Sequence, residues 1–130
     1  MSSIFSKIIC KEIPAYIVAE DEENIAFMDI FPIQRGHVLI VPKIEIDNIF
    51  DLPLKSYISL FSFAKRVSDG IRKVIPCDRI GLSVIGLEVP HAHIHLVPIN
   101  KLNDMDFNNK KKISNTELLN LSKNISKEIK

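Results

Sequence analysis

The chain has 130 residues, 46% of them hydrophobic and 25% charged, which is the composition of a globular protein and not of a disordered or fibrous one. Its 17 Lys and Arg residues and 16 Asp and Glu residues give a formal net charge of +1. This near-neutrality excludes a protein whose main task is to bind the nucleic acid backbone, because such proteins carry a strong basic excess. The length predicts one domain over residues 1–130, with a core at 1–99 and a tail at 100–130.

The sequence carries no sign of a membrane span or of secretion. Its apolar runs are shorter than the roughly 18 residues that a transmembrane helix needs. The N-terminus also lacks the apolar core of a secretory signal. The two cysteines, Cys10 and Cys77, lie far apart and indicate no disulfide framework, so each is expected to be a small buried hydrophobe. We therefore expect a cytoplasmic protein with no membrane partner.

One short helix and three strands are predicted for the first third of the chain. Ser3 can cap a helix whose apolar residues follow helical spacing and which ends before Pro14. Apolar and β-branched runs at 15–20, 25–30 and 37–41 then predict three strands. The connections between these runs are short, which favours an antiparallel meander.

A change of period marks the middle of the chain. Apolar residues at steps of three and four predict a long amphipathic helix that begins near Pro53 and stops at Pro76. Two further strands are predicted over residues 79–85 and 91–97. These elements together predict an α+β fold: a mostly antiparallel, five-stranded sheet with the long helix packed on one face.

The tail has a polar part followed by a helix. Residues 100–112 are rich in lysine and are expected to be irregular. Apolar residues at helical spacing predict a helix over residues 114–130, which Asn115 or Thr116 can cap. The tail is therefore not part of the predicted sheet.

The segment HAHIH concentrates three of the four histidines at alternate positions, His91, His93 and His95. In a strand, alternate side chains share a face, so the three imidazoles lie together while the residues between them point into the core. Such a row can hold zinc, as clustered histidines do. It can equally serve nucleophilic catalysis, because a neutral imidazole attacks phosphorus and is readily displaced again. His93, in the middle, is the candidate nucleophile.

The motifs around these histidines resemble those of the histidine triad (HIT) nucleotide hydrolases and transferases. HAHIHLV fits the alternating His-φ-His-φ-His-φ-φ signature, where φ is a hydrophobic residue. NIAFMDIFPIQRGHVLIVPK is similar to the central hairpin of that family, SIFSKIICKEIPA to its opening helix, and GLEVPHAHIH to its catalytic strand. The similarity covers about residues 3–43 and 79–99, and it implies a HIT-like fold.

The resemblance implies four catalytic residues. His93 corresponds to the nucleophile that forms a covalent nucleotidyl-histidine intermediate at the α-phosphate. His95 corresponds to the histidine that contacts phosphate and assists the leaving group. His91 corresponds to the residue that orients the nucleophile through its backbone carbonyl, and His37 to a fourth, supporting histidine.

The resemblance also implies how a nucleotide is held. Asp29 corresponds to the carboxylate that accepts hydrogen bonds from the ribose hydroxyls. Glu88 and Val89 fall where the family touches the phosphates. No cofactor is expected, and the expected partner is a small-molecule nucleotide. The base is expected between five apolar residues: Phe5, Ile8, Phe27, Ile30 and Leu39.

Family members of this kind form two-fold dimers, so the resemblance implies a homodimer. The long helix is expected to take part in its interface. The residues that could serve that interface are Tyr57, Phe61 and Phe63.

Two departures from the family pattern matter for function. Many bacterial relatives carry a Cys-x-x-Cys pair that helps to bind a structural zinc ion, but Ser3 and Ser6 stand at those positions, so no metal is predicted. The loop over residues 83–88 lacks the usual phosphate-holding asparagine and glutamine, with Leu87 in the place of the glutamine.

Three functions therefore remain open. The first is a hydrolase of purine nucleotide derivatives, of the phosphoramidase or dinucleoside polyphosphate type, that releases a nucleoside monophosphate. The second is a nucleotide-binding regulatory module with little turnover. The third is a triad that binds a metal.

Overall fold

The computed structural model describes residues 2–129. Within these residues, five strands form one antiparallel sheet in the order β1-β2-β3-β5-β4, which confirms the predicted fold class. The strands are β1 Ile17–Glu20, β2 Asn24–Met28, β3 Val38–Pro42, β4 Arg79–Ser83 and β5 Ile94–Ile99. The helices are α1 Ile4–Ile9, α2 Leu54–Val74 and α3 Asn115–Lys127, with short 3₁₀ turns at Ile49–Asp51 and Leu102–Met105.

The two central strands β2 and β3 are buried on both faces of the sheet. On one face their alternate side chains, such as Ala26 and Ile40, pack against the apolar stripe of α2. On the other face Phe27 and Leu39 pack against Phe5 of α1. This second, smaller layer matters for function because a short helix covers only part of the sheet face and leaves a cleft beside it.

Two glycines permit close approaches that position the site and the tail. Gly36, immediately before His37, has φ +91°, a conformation that L side chains rarely adopt. Gly70 lies where α2 meets the end of α3, and a Cβ there would stand 2.6 Å from Cγ1 of Ile129. Gly70 therefore lets the tail pack directly on the long helix.

The catalytic strand was predicted over residues 91–97, but β5 begins only at Ile94 and runs to Ile99. The reason lies in the backbone hydrogen bonds that precede it. The His91 N–H donates to the Val89 carbonyl and the Ala92 N–H donates to the Ile46 carbonyl, so neither joins the ladder. His91 and His93 therefore lie in a loop-like approach to the strand, although Ala92 and Ile94 still face the α2 core as predicted.

Other boundaries also differ from the predictions. The cap of α3 is Ser114, whose hydroxyl accepts the Glu117 N–H, and not Asn115 or Thr116. The segment over residues 100–112, expected to be irregular, contains a 3₁₀ turn. Lys130, the last residue of the predicted terminal helix, lies outside the described residues.

Two expectations about individual side chains are wrong. Phe63, predicted for a dimer interface, is only 3% exposed because it lies on the inner face of α2. Cys10 is exposed where a buried residue was expected, since it follows the last turn of α1, and Cys77 is half-buried. Among residues 2–129, no helix is both long and apolar enough to cross a membrane.

Candidate active site

A cleft of about 670 Å³ opens between α1, the end of β2 and the triad. This volume is that of a typical small-molecule site. Asp29, His93 and His95 supply polar groups in its lining, and Val89 also lines it. Of the other predicted residues in the described chain, Glu88, His37 and His91 do not line it. All five predicted base-binding residues do: Phe5, Ile8, Phe27, Ile30 and Leu39.

One of the two ring nitrogens of His93 is engaged in a hydrogen bond within the protein. Its Nδ1 lies 2.7 Å from the carbonyl oxygen of His91, so Nδ1–H donates and the lone pair is left on Nε2. The ring of Phe5 meets the His93 ring edge-on at 4.9 Å. Burial lowers the pKa of His93 below its ordinary value, against the opposing effect of the His91 carbonyl. His93 is therefore a neutral imidazole at pH 7 with an available nucleophilic nitrogen.

A hydrogen bond joins His37 and His95, and the partners of the two rings fix the tautomer of each. The Ile33 N–H donates to Nδ1 of His37 at 3.1 Å, so the proton of His37 is on Nε2. That Nε2–H donates to Nδ1 of His95 at 3.0 Å, which leaves the proton of His95 on its own Nε2. Burial lowers the pKa of both histidines to about 3, so both are neutral at pH 7.

His91 differs because both of its nitrogens have partners inside the protein. Nε2–H donates to the Pro42 carbonyl at 2.8 Å, and Nδ1 accepts the hydroxyl proton of Ser3 at 2.8 Å. The Glu45 carboxylate accepts from the Ser3 N–H at 2.7 Å and from the Ser6 hydroxyl. The side chain of His91 is fully buried and serves as structure. Its backbone carbonyl is the part that contacts His93.

Comparison with known proteins fits this geometry. The HIT domain model matches residues 10–102. The chain belongs to the HIT family. It is 36% identical over 105 residues to the purine nucleoside phosphoramidase of Escherichia coli, covering 73% of this chain and 85% of that one. It is 34% identical over 100 residues to the adenosine 5′-monophosphoramidase of Saccharomyces cerevisiae, covering 73% and 61%.

Solved HIT structures match almost the whole chain. A HIT-like protein from Bartonella henselae, described as involved in cell-cycle regulation, superimposes with a TM-score of 0.87. The sequence identity of that pair is 27%, and the match covers 98% of this chain and 96% of the other. The predicted family resemblance is thereby confirmed, and so is the HIT-like fold.

The side chain of Asp29 lies at the cleft with part of its hydrogen-bonding capacity unused. One of its oxygens accepts the Phe31 N–H at 2.8 Å, which fixes the orientation of the side chain. The other oxygen lies 3.5 Å from Nε2 of His37, and the side chain is 14% exposed. A carboxylate has about four acceptor positions, so several remain for a ligand.

Neither candidate metal site in this HIT protein fits an ion. At the serine pair, hydroxyls are poor zinc ligands, and Nδ1 of His91 already accepts the Ser3 proton. Asp29, His37 and His95 do bring three ligand atoms within 4.8 Å of one another. However, the Ile33 N–H places a proton on the very nitrogen of His37 that would have to bind the ion. The prediction that the chain binds no metal stays a prediction, now with a physical reason.

Sequence reasoning missed three residues of the tail. Phe107 packs its ring 4.8 Å from that of His95, Lys110 places its ammonium 6.0 Å from the Phe107 ring centre, and Asn115 lines the cleft. These residues carry no periodic pattern. The available signal was that Phe107 is the single aromatic residue after Phe63, in an otherwise polar stretch.

Proposed function

We propose that this HIT protein is a nucleotide hydrolase that acts at the α-phosphate of purine nucleotide derivatives. The observation that carries the proposal is the hydrogen bond from Nδ1 of His93 to the His91 carbonyl. It leaves the nucleophilic Nε2 of a neutral imidazole at the polar end of an apolar cleft. The His95 ring lies beside the His93 ring, with the two ring centres 4.9 Å apart.

The cleft suits a nucleoside. Its apolar walls can take the two faces of a base, because flat aromatic and aliphatic surfaces exclude water from both sides of a ring. Asp29 lines the same cleft and lies 3.5 Å from Nε2 of His37, so its carboxylate can accept hydrogen bonds from the ribose of a bound nucleotide. The α-phosphate is then placed next to His93 and His95.

The chemistry has two steps. Nε2 of His93 attacks the α-phosphorus, the bond from phosphorus to the leaving group breaks, and the leaving group departs with the bonding electrons; an amine also takes up one proton as it leaves. A water molecule then attacks the same phosphorus and gives up one proton to solvent, the P–N bond to His93 breaks, and a nucleoside monophosphate is released. His95 donates its Nε2–H as a hydrogen bond to the charge that develops in the first step.

Known relatives support the activity at a coarser level. The similar protein from Escherichia coli is named a purine nucleoside phosphoramidase, and the one from Saccharomyces cerevisiae an adenosine 5′-monophosphoramidase. Their identities of 36% and 34% support hydrolysis of a nucleotide derivative more strongly than any one leaving group.

A trapping experiment tests the proposal. The protein is mixed briefly with adenosine phosphoramidate or a dinucleoside polyphosphate labelled at the α-phosphate, quenched in base, and analysed by mass spectrometry. We expect a nucleotidyl adduct on His93. The variant His93→Ala should show neither adduct nor turnover, whereas Lys73→Ala, a change on an exposed part of α2, should retain both. An adduct elsewhere, or turnover by His93→Ala, would refute the mechanism.

The loop before the triad favours one second candidate, a nucleotide-binding regulatory module. Leu87 is 89% exposed and Glu88 does not line the cleft, so neither side chain adds a polar group to the cleft wall. Tight binding of a nucleoside monophosphate, with no adduct and no turnover of either substrate, would favour this function over the hydrolase.

We also propose that the protein is a homodimer in the cytoplasm. β4 lies at an edge of the sheet, where an unpaired strand can join a second copy. Apolar side chains at Leu82 of that strand and at Leu54 and Ile58 of α2 are exposed. The free cysteines support a reducing compartment. Light scattering on the purified protein would measure the mass of the assembly.

A further inference from the structure

The backbone around Phe107 is fixed by a turn and by a hydrogen bond to a distant part of the chain. The Asn109 N–H donates to the Asp106 carbonyl at 3.1 Å, which closes a tight turn that contains Phe107. Just after this turn, the Lys111 N–H donates to the carbonyl of Pro32, between β2 and β3, at 2.7 Å. The fold therefore holds the chain on both sides of Phe107 and determines where its ring lies.

The ring of Phe107 completes a cluster of three rings with His37 and His95. Its centre lies 4.8 Å from that of His95 and 6.2 Å from that of His37, and the centres of the two histidine rings are 5.2 Å apart. Phe107 meets both histidines edge-on, with interplanar angles of 72° and 78°. These distances and angles are those that aromatic pairs prefer. Phe107 therefore packs on both partners of the hydrogen bond that runs from His37 to His95.

The two histidines of the cleft are held in the same manner. Nδ1–H of His93 donates to a backbone carbonyl at 2.7 Å, and Phe5 meets the His93 ring edge-on at 4.9 Å. Nδ1 of His95 accepts the proton of His37 at 3.0 Å, and Phe107 meets the His95 ring edge-on at 4.8 Å. In each case a hydrogen bond engages Nδ1 and a phenylalanine packs on the imidazole. Phe107 thus stands to His95 as Phe5 stands to His93.

The hydrogen bond from His37 to His95 needs protection from water. A solvated imidazole can carry its proton on either nitrogen, and water can donate to Nδ1 of His95 in place of His37. The lower dielectric of a protein interior strengthens the same bond. His37 is fully buried, but His95 is only half-buried, so His95 is the member of the pair that solvent can reach. An apolar ring packed on His95 limits that access.

We propose that Phe107 is a positioning residue for His95: its ring excludes water from the hydrogen bond with His37 and keeps the His95 imidazole in one orientation, with Nε2–H available in the cleft. This inference rests on the proposed hydrolase function and deepens it, because His95 stabilises the leaving group through that N–H. Phe107 lies beyond residue 102, where the match with the HIT domain model ends. It takes up no proton and forms no bond in the reaction.

The groups around His95 determine its response when the covering ring is removed. Asp29 favours a positive charge on His95, and three groups oppose one: His37, His93 and Lys110. Burial is nevertheless the largest cause of the lowered pKa of His95, which is about 3. Exposure of the ring to water should therefore raise the pKa of His95 toward its ordinary value of 6.5 and populate its second tautomer.

Nitrogen NMR of the protein labelled at the ring nitrogens of histidine tests this directly, because the two chemical shifts of an imidazole report its tautomer and its charge. In the parent protein His95 should remain a single, neutral Nε2–H tautomer from neutral pH to about pH 5. In Phe107→Ala the two nitrogen signals should move toward each other, and protonation of His95 should begin within this range. The variant His95→Asn identifies the signals by removing them.

Matched variants separate the ring from general packing. Phe107→Tyr should keep the parent signals, because it retains an aromatic ring at the same position. Phe107→Leu retains an apolar side chain without the ring and should give an intermediate result, which can be read even if the alanine variant does not fold. Leu102→Ala removes an apolar side chain that is 89% exposed in the same tail and should leave the signals of His95 unchanged.

Steady-state kinetics with an adenosine phosphoramidate show whether the orientation of His95 matters for the reaction. Phe107→Ala should lower kcat about tenfold, which is part of the effect of losing a donor to the developing charge completely. KM should change less than about twofold, because the apolar walls that hold the base, such as Phe27 and Leu39, remain in place. Phe107→Tyr should have nearly the parent kcat.

The outcomes separate this inference from the function on which it rests. A single Nε2–H tautomer of His95 in both Phe107→Ala and Phe107→Leu would overturn the role of Phe107. An unchanged kcat in a Phe107→Ala protein whose His95 signals are altered would overturn it as well, and so would a rise in KM alone. If the parent protein cleaves no nucleotide and forms no adduct on His93, the hydrolase proposal fails, while the NMR signals still decide whether Phe107 positions His95.

Discussion

The first and last histidines of the triad, His91 and His95, are both hydrogen-bonded within the protein. They differ in how many ring nitrogens remain without a partner inside the protein. His91 has both nitrogens committed, to the Ser3 hydroxyl and the Pro42 carbonyl. His95 has its Nδ1 committed to His37 and offers Nε2–H at the cleft. The comparison teaches that a buried imidazole is structural or functional according to the nitrogen that the fold leaves unpaired.

The partners of the two residues also differ in kind. His91 accepts a hydrogen bond from Ser3, the cap of α1, and the N–H of Ser3 donates in turn to the Glu45 carboxylate, so this network holds the start of α1 against the triad. His95 is tied to a second imidazole, which is tied in turn to the Ile33 backbone N–H. The first network fixes a backbone carbonyl, whereas the second fixes the position of a proton. A substitution of His91 therefore tests mainly the stability of the protein, and a substitution of His95 tests mainly its activity.

The largest contrast is expected from replacing His95 and His91 by asparagine. Asparagine can mimic the Nδ1 acceptor of each histidine while removing Nε2–H. His95→Asn should lower kcat by about 100-fold, because a donor to the developing charge is lost. His91→Asn should lower the free energy of unfolding by about 2 kcal/mol, because the buried Pro42 carbonyl loses its donor.

Urea unfolding and steady-state kinetics on both variants measure this contrast. The His95 variant should unfold with nearly the parent midpoint, and the folded His91 variant should lose less kcat than the His95 variant. The opposite assignment, with His91→Asn the less active of the two at full folding, would show that the side chain of His91 acts in the reaction.

A second, smaller effect is expected from the pH dependence of stability. The pKa of His37 is about 3 in the folded protein against 6.5 for an ordinary histidine, so below pH 6.5 the unfolded chain binds a proton that the folded one does not. Stability is thus fully present above about pH 6.5 and is lost as the pH falls toward 3. His37 contributes at most about 1.4 kcal/mol per pH unit to that loss.

Denaturation between neutral and mildly acidic pH measures this slope. His37→Gln should be less stable than the parent at neutral pH, since the Ile33 N–H loses a well-placed acceptor. Its stability should nevertheless fall less steeply with acid. An unchanged slope of stability against pH would mean that His37 titrates normally in the folded protein. That result would contradict the hydrogen bond from His37 to His95.

The smallest effect is expected at Ser3. Its hydroxyl accepts the Ser6 N–H as the cap of α1 and donates to His91. Ser3→Ala should cost about 1 kcal/mol of stability, the usual value for a lost cap. Its kcat should fall only a few-fold, because Pro42 still holds the other nitrogen of His91. Ser3→Thr should restore both values, and Ser2→Ala, a neighbouring exposed change, is the control. Equal losses in the Ser2 and Ser3 variants would show that the cap by Ser3 does not stabilise the protein.

Much of the fold could be predicted because it depends on local periodicity. The apolar stripe of α2, with Leu60, Val67 and Ile71 at its centre, is buried as its spacing predicted. In β2 and β3 alternate side chains share a face, and Phe27 and Leu39 lie together on the face that meets α1. Such patterns follow from helix and strand geometry, so they can be recognised without knowing the tertiary contacts of the rest of the chain.

The cleft and the histidine row could be predicted for a different reason. The resemblance to the HIT family assigned Asp29, His93 and His95 to one site, and the structure places all three around one cleft. The start of β5 could not be predicted in the same way. The backbone N–H groups of His91 and Ala92 donate to Val89 and Ile46 instead of joining the sheet. Ile46 lies in the loop between β3 and α2, far from Ala92 in the sequence.

The sequence by itself determined which residues could do chemistry: an alternating histidine row, a carboxylate near a turn and an apolar surface around them. Only the tertiary structure decided which nitrogen of each histidine is free, because tautomers are set by partners such as Ile33, Pro42 and Ser3, whose approach is a matter of packing. It likewise decided that Phe107 lies against His95. This contact joins segments that no local pattern relates, and it exists because the Lys111 N–H, close to Phe107 in the chain, donates to the Pro32 carbonyl in the turn before His37.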